Sequence, residues 1–394
     1  MGNDAPKRLA YFLSHPIQYF SPLLKELSLA TALEVYYFSE AGSAGKTDKG
    51  FGKSIQWDTP LLQGYDYRFL PNLSRSAHLD NHFLDAVNPG VIGALWKTKA
   101  PVVIVNGWTY SSTLMTIFFG RLFGKKIWLR AENPLNQELG KRPVVKLLKR
   151  LFLKHLLFRF FVSKCLYIGK ESKAFFEHYG VKPARLVYTP YAVENERFST
   201  RFAELRSDLP GVRSRLGLPA DKKIILFCGK YIPKKRPMDL LKAFQRLEGQ
   251  GYALAMVGEG ECRQEMEEYI RDHRLTDVYL TGFVNQNSVP LYYAIADVFV
   301  MCSGEGETWG LSVNEAMNFE KPVVVSRTCG CCEDLVKDGE NGFSFETGDI
   351  PALADSLRKT LDNETFLRSA GKRSGEIVQN YSIGHIVSNM TAAL

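Results

Sequence analysis

The chain has 394 residues, 45% hydrophobic and 23% charged, with a net charge of +8. That balance excludes a disordered or collagen-like chain, and the length predicts two or three domains. Seven cysteines, sparse and odd in number, exclude a disulfide scaffold. With no secretory leader after Met1 and no apolar run of the ~18 residues that span a bilayer, a soluble, reduced, cytoplasmic protein is expected.

Short apolar runs at Arg8–Leu13, Leu33–Phe38, Pro101–Asn106 and Lys126–Ala131 read as buried strands, with Leu23–Ala30 and Ser112–Leu122 as helices between them. The alternation is that of a parallel sheet with crossover helices. Lys141–Phe161, KRPVVKLLKRLFLKHLLFRFF, reads as a helix with Lys146, Lys149, Arg150 and Lys154 on one face. Val145, Leu148, Phe152 and Leu156 fall on another. Such a helix suits an anionic membrane surface, or a domain whose core takes the apolar face while water takes the basic one. Glu196–Asp221, polar and broken by Pro210-Gly211 and Pro219, reads as a linker.

Beyond it the rhythm repeats, with strands at Lys223–Cys228, Ala253–Val257, Val278–Leu280, Asp297–Met301 and Pro322–Ser326. The fold class is therefore α/β: two doubly wound domains, residues 1–195 and 222–380, joined by 196–221. Ligands of such sheets sit at the carboxyl ends of strands, so the site is expected in a cleft between the domains.

Charge is unevenly spread. Residues 1–195 hold 26 Lys/Arg and 14 Asp/Glu, a net +12, and residues 196–394 hold 24 and 28, a net −4. Residues 121–173 alone carry 14 basic and 3 acidic side chains, which predicts an anionic partner. Zinc-finger spacing, an RNP-like aromatic motif and basic-zipper heptads are all missing, so nucleic acid is not expected.

The chemistry concentrates in the second half. In Ser303–Ser326, SGEGETWGLSVNEAMNFEKPVVVS, a Gly-rich loop leads into a helix starting near Gly310, and backbone N–H groups at such a start bind phosphate. Glu307 and Glu315 are eight positions apart. A continuous helix would separate them by ~12 Å, far beyond the ~5 Å of a retaining glycosidase pair. They read as grips on two hydroxyl-bearing parts of one ligand, or as a solvated loop Glu and a surface helix Glu. In Phe227–Phe244 a strand runs into Gly229 and a basic loop with Lys230, Lys234, Lys235 and Arg236. Those cations suit a diphosphate or form an ordinary solvated turn. Val257-Gly258-Glu259-Gly260 is a third strand-to-Gly turn. The cluster Cys329, Cys331 and Cys332 lacks a second Cys/His pair at metal-site spacing and reads as packing.

In this order and spacing, residues 223–380 resemble glycosyltransferase family 4, retaining nucleotide-sugar transferases of GT-B fold. The matching pieces are Gly229–Lys235, Val257–Gly260, Gly282-Phe283-Val284, Tyr292–Val298, the Glu307…Glu315 pair around Gly310-Leu311, Glu315-Ala316-Met317 and Lys337–Gly342. The resemblance implies that Gly229, Lys230, Lys235 and Gly258 meet the donor diphosphate, with Lys230 and Lys235 neutralising the leaving group. Glu307 would bind donor-sugar hydroxyls and Glu315 the ribose. Backbone N–H groups around Thr308, Trp309, Gly310 and Leu311 would face the diphosphate, and Gly282, Phe283 and Val284 would border the base. A C-terminal helix within 381–394 that packs back on the first domain is expected only through this resemblance. Departures from the family are Lys230 where Arg is frequent, Arg236 for Gly, Trp309 for Phe and Cys329-Gly330 for Gly-Gly.

The first half resembles a surface-polysaccharide subgroup through Ser14–Pro22 (SHPIQYFSP), Gly50-Phe51, Trp57-Asp58 and Arg130-Ala131-Glu132-Asn133. By position, His15 and Glu132 would join the catalytic set, touching donor or acceptor, or serve structure.

The resemblance implies sugar transfer from a nucleotide-sugar to a glycan or lipid-linked hydroxyl, with retention of configuration, at the inner face of the cell membrane. No Asp-x-Asp occurs, so Lys230 and Lys235 would supply the positive charge, with no metal and no cofactor. A GT-B epimerase or phosphorylase and an inactive membrane scaffold compete with this reading; intact Glu307, Glu315, Lys230 and Lys235 oppose the scaffold. A Rossmann dehydrogenase would need a Gly-x-Gly-x-x-Gly after the first strand, which is missing.

Overall fold

The computed structural model describes residues 7–40, 47–48, 53–54, 60–74, 79–80 and 82–394. Gly50-Phe51 and Trp57-Asp58 lie outside the described residues. The chain divides into two units, one built on residues up to 190 together with Ile383–Leu394, the other on Tyr191–Ser382. Both are wound on parallel sheets, and the long apolar runs follow from that, because strands covered on both faces alternate little.

In chain order the strands are β1 (Arg8–Leu13), β2 (Ala32–Tyr37), the short antiparallel pair β3 (Thr47–Asp48) and β4 (Lys53–Ser54), then β5 (Tyr67–Phe69), β6 (Val102–Asn106), β7 (Lys126–Arg130), β8 (Val162–Tyr167) and β9 (Leu186–Tyr188). Apart from β3 and β4, which cluster with the second unit, they form one sheet in the order β5-β2-β1-β6-β7-β8-β9. Five of the six β1 residues are buried, and Phe12, Val105, Leu129 and Cys165 from successive strands share one core cluster. The first unit's helices are α1 (Ser21–Ala30), α2 (Gly90–Lys97), α3 (Ser111–Leu122), α4 (Leu135–Leu139), α5 (Pro143–Lys149) and α6 (Lys170–His178).

The second unit begins with α7 (Asn195–Leu205) and α8 (Leu209–Arg215). Its sheet comprises β10 (Lys223–Cys228), β11 (Tyr252–Val257), β12 (Val278–Leu280), β13 (Val298–Met301), β14 (Val323–Ser326) and β15 (Gly342–Phe345), in the order β12-β11-β10-β13-β14-β15. Between and after these strands come α9 (Pro237–Gln245), α10 (Arg263–Asp272), α11 (Val289–Ile295), α12 (Leu311–Asn318), α13 (Cys332–Leu335), α14 (Ile350–Leu361) and α15 (Glu364–Val378). The last helix, α16 (Ile383–Ala393), returns to the first unit. There Asn389 Nδ2 donates to the Tyr188 carbonyl at 3.0 Å and Lys164 Nζ to the Ala393 carbonyl at 2.6 Å.

Each sheet reverses its winding once, between β1 and β6 in the first unit and between β10 and β13 in the second. At such a reversal the loops leaving two neighbouring strands diverge and open a crevice beyond their carboxyl ends.

Two expectations need correction. Residues 196–221 are largely helix packed on the second unit: the Phe202 and Phe319 rings lie 5.5 Å apart, and Arg213 pairs with Asp297 at 3.0 Å. Pro210 is no breaker there. It occupies the first turn of α8, where a missing N–H costs nothing, and Asp208 caps that turn by accepting from Gly211 N at 3.0 Å.

The second correction concerns Lys141–Phe161, where α5 passes into a wide helix, Arg150–Phe161, wound with i→i+5 hydrogen bonds. Wider winding moves the faces away from their 3.6-residue places. Within the wide helix Leu153, Leu157 and Phe158 are buried and Leu156 is exposed; in α5, wound as an ordinary α-helix, Val145 and Leu148 are exposed as well. Lys149, placed on the solvated face by the sequence, pairs with buried Glu138 at 2.8 Å. Lys146 Nζ donates to the Leu139 carbonyl at 3.1 Å.

Candidate active site

In the second unit the loops leaving β10, β11, β12 and β13 are laced together by main-chain bonds. Gly229 N donates to the Val257 carbonyl (2.9 Å), Tyr231 N to that of Glu259 (2.8 Å) and Gly258 N to that of Gly282 (3.0 Å). This closeness explains one glycine. At Gly258, with φ of +155°, a Cβ would stand 1.9 Å from the Gly229 carbonyl oxygen, so any side chain would push the loops apart.

After Gly229 the chain makes a single tight turn, Pro233–Lys235, and Arg236 takes a left-handed conformation with φ of +50°. Arg236 is held by Asp239, which accepts from its Nε at 2.5 Å. The turn aims two lysines at the loop after β13. Lys235 Nζ forms an ion pair with the Glu307 carboxylate. Lys234 Nζ lies 3.9 Å from the same carboxylate and donates to the Gly306 carbonyl at 3.0 Å. Glu307 is 8% exposed. Burial alone would raise its pKa, but the charges of Lys235 and Lys234 and hydrogen bonds from Lys235 and Ser303 hold the carboxyl below its usual range.

The stretch from Ser303 to Gly310 is loop, and α12 starts at Leu311, so the separation expected from a continuous helix does not describe Glu307 and Glu315. Glu315 is buried in α12, where its carboxylate accepts from the Tyr293 hydroxyl at 2.7 Å. That hydroxyl is fixed in turn, because the Tyr293 ring stacks on Phe319 with centroids 5.6 Å apart. Gly310 caps α12 with φ of +112°, where a Cβ would lie 2.5 Å from Met301 Sδ.

Trp309 is core rather than surface. Its ring is buried near Tyr191 and Tyr381, and Nε1 donates to Asn314 Oδ1 at 2.8 Å. Only its main chain is left for a ligand. The Glu307 and Trp309 carbonyls accept from Gly330 N (3.1 Å) and Cys331 N (3.2 Å), which anchors Thr308 between them. Lys230 is half-buried at the end of β10, and Gly282, Phe283 and Val284 are half-buried beyond β12. Cys329, Cys331 and Cys332 are buried, and burial pushes the Cys329 thiol up to about 12.

His15 and Glu132 belong to the first unit. His15 follows β1 with Nδ1 3.0 Å from Ser14 Oγ, and Glu132 follows β7. Beside them stand Tyr11 of β1, which the sequence did not single out, and Arg130 at the end of β7, which it did. Tyr11 OH donates to Asn106 Oδ1 at 2.8 Å, and the buried Arg130 guanidinium lies 4.6 Å from the Phe20 ring. Burial pushes the Tyr11 hydroxyl up to about 12 against the lowering charge of Arg130. In the second unit Tyr293, Ser303, Lys234 and Asn314 complete the site. Lys234 stands in the basic loop, Tyr293 in the Tyr292–Val298 stretch, and Ser303 and Asn314 in Ser303–Ser326, all singled out as segments, but only Lys234 as a residue.

The arrangement holds two buried carboxylates, a lysine pair and a main-chain cradle at one winding reversal. It matches a known family: residues 211–376 fit the model of "Glycosyl transferases group 1". The C-terminal unit belongs to the group 1 glycosyl transferases. The sulfoquinovosyl transferase SQD2 of Arabidopsis thaliana is 30% identical over 48% of this chain and 36% of its own length. The lipopolysaccharide core glycosyltransferase LpsE of Rhizobium meliloti is 30% identical over 43% of this chain and 49% of its own. The chain spans about half the length, or less, of the curated relatives it matches.

Solved structures share the fold across nearly the whole chain. Anabaena Alr3699/HepE in complex with UDP superposes with a TM-score of 0.76 at 16% identity, covering 98% of both chains. WaaG, a glycosyltransferase of lipopolysaccharide biosynthesis, gives 0.67 at 15% identity, again over 98% of both. The architecture of the chain is therefore GT-B. Among its described residues no helix is long and apolar enough to cross a membrane, and no group of three His, Cys, Asp or Glu side chains is placed to hold a metal ion.

Proposed function

We propose that the protein is a retaining glycosyltransferase that moves a sugar from a nucleotide-sugar to a hydroxyl of a glycan or lipid-linked acceptor in surface-polysaccharide assembly. The observation that carries this reading is the Lys235–Glu307 ion pair, flanked by Lys234, at the winding reversal between β10 and β13. Lys230 and Lys235 bind the donor diphosphate, and main-chain N–H groups of Thr308, Trp309, Gly310 and Leu311 face it beside Gly229 and Gly258. Glu307 receives hydroxyls of the transferred sugar, and Glu315, steadied by Tyr293, receives the ribose diol. Gly282, Phe283 and Val284 border the base.

In the reaction, the bond from the anomeric carbon to the phosphate oxygen breaks as the acceptor oxygen bonds to the same face of that carbon. The acceptor proton passes to an oxygen of the departing phosphate. The lysines stabilise the negative charge that grows there, because charges fixed in a partly buried site act more strongly than in water. Neither a metal nor a protein nucleophile enters this scheme. Acceptor recognition falls to the N-terminal unit, through His15 and Glu132, and the basic segment 141–161 meets an anionic membrane surface at the cytoplasmic side.

A uridine donor is the first to try, since UDP and UDP-glucose are bound by the structural neighbour HepE. Thermal-shift titration without added metal, using UDP, GDP, dTDP, ADP and CMP and their sugars, tests the assignment. Stabilisation by one nucleotide, lost in Lys235→Ala, supports it. No stabilisation by any of them refutes the donor site.

A further inference from the structure

The helical segment 143–161 of the first unit has a side that the transfer reaction does not use. Positions 146, 149, 153 and 157 lean toward the protein. Leu147, Leu148, Leu151 and Phe160 turn away and, with Phe118 and Leu122 at the end of α3, are 50–65% exposed. The two helices adjoin: the Phe118 and Phe161 rings lie 6.0 Å apart, and Arg121 Nε donates to the Phe160 carbonyl at 3.2 Å. Single exposed leucines need no explanation, but six large apolar side chains along one helix and the end of its neighbour form a surface that asks for a partner.

Charge selects that partner. Arg142, Arg150 and Arg159 are exposed along the same segment, and the sequence has no Asp or Glu between Glu138 and Glu171. Glu138 is buried and taken up by Lys141, Lys149 and the Tyr179 hydroxyl, while the Glu171 carboxylate accepts from Asn136 N. A second copy would bring a basic face against a basic face. A bilayer with anionic headgroups offers both an apolar interior and the opposite charge.

We propose that this surface inserts shallowly into an anionic bilayer, with the leucines of α5 and the wide helix and the Phe118–Leu122 end of α3 entering the acyl boundary while Arg142, Arg150 and Arg159 hold lipid phosphates. The Glu138 clasp fixes α5 on the domain, so the apolar side chains are presented without ordering a free segment. This deepens the membrane contact proposed for 141–161 and is independent of the transfer reaction.

The test is cosedimentation of the full chain with phosphatidylcholine vesicles, with and without phosphatidylglycerol, at low and high salt (~0.1 and ~1 M). Retention by the anionic vesicles is expected, reduced but not abolished at high salt. The triple change Leu147→Ser, Leu148→Ser, Leu151→Ser is expected to weaken it ~10-fold or more, and Phe118→Ser with Leu122→Ser to weaken it further, all with an unchanged unfolding midpoint. In Leu148→Trp, acyl-chain-brominated lipid is expected to quench fluorescence beyond the wild-type level.

Retention that vanishes at high salt and ignores the serine changes overturns insertion and leaves only a surface contact. No retention at all overturns both. A wild-type dimer that the triple change dissociates assigns the surface to a second copy and overturns the proposal.

Discussion

The two winding reversals of this molecule are built alike and furnished differently. Beyond β10 and β13 the strand ends carry preset charge: Lys235 on Glu307, Lys234 nearby, and Glu315 on Tyr293. At β1, β6 and β7 stand polar groups and one buried cation: Ser14 beside His15, Tyr11 on Asn106, and Arg130 against Phe20 and Tyr11. On the proposed reading the charged reversal takes the diphosphate, whose charge is the same whatever sugar is moved, and the hydroxyl-bearing strand ends of the other unit take the acceptor.

Substitutions in the two regions separate these roles. The largest effect is expected from Lys235→Ala and Glu307→Ala, each lowering the transfer rate by ~10²–10³ while leaving the unfolding midpoint nearly unchanged. Near-normal transfer by either variant in a radiolabelled-sugar assay removes the pair from the mechanism.

Next comes Glu315→Ala, which should weaken nucleotide binding by ~1.5–3 kcal/mol, and Tyr293→Phe, which should weaken it by ~0.5–1.5 kcal/mol. If Tyr293 acts by aiming Glu315 at the ribose, its change has no effect on a 2′,3′-dideoxynucleotide. Equal losses for both nucleotides in calorimetry would make it merely structural.

On the other unit, His15→Ala or Glu132→Gln should raise the acceptor KM about 10-fold, in keeping with one hydrogen bond, with nucleotide affinity untouched. Loss of nucleotide binding instead would dissolve the division of labour between the two regions.

The smallest effect concerns stability. Lys321 is buried, with Nζ donating to the Ala294 carbonyl at 2.9 Å, and burial lowers its pKa from 10.5 to about 8. Folding therefore works against its charged form. The penalty is complete below about pH 8 and fades as pH rises toward 10.5. Lys321→Met should stabilise the protein at pH 7 by about 1–3 kcal/mol and flatten the rise in stability between pH 8 and 10. A denaturation series with the same slope in both proteins would contradict this.

The second region was far more legible in the sequence than the first. Gly258 and Gly310 could be read because close backbone approach at the first and a left-handed conformation against Met301 at the second favour glycine. Glu307 and Glu315 could be read together because one strand-loop-helix unit, β13 to α12, holds their spacing, and Lys235 because it stands in the basic turn between β10 and α9. Tyr293 lay within the Tyr292–Val298 match, but its contact could not be read, since it reaches Glu315 from another helix. Arg130 could be read as a strand end but not as a buried cation over Phe20. Trp309 lies in a loop, yet its side chain is core, because Tyr191 and Tyr381, far apart in sequence, pack near it.

The sequence by itself determined the alternation of strands and helices and the loops that carry the chemistry. Apolar runs must be covered on both faces, and glycine alone tolerates the tight turns. Tertiary structure decided which face of 141–161 is inward, whether 196–221 is linker or helix, and which lysine meets Glu307. Those outcomes depend on helix winding, on distant aromatic partners such as Phe319, and on desolvation. None of these is a property of a segment read alone.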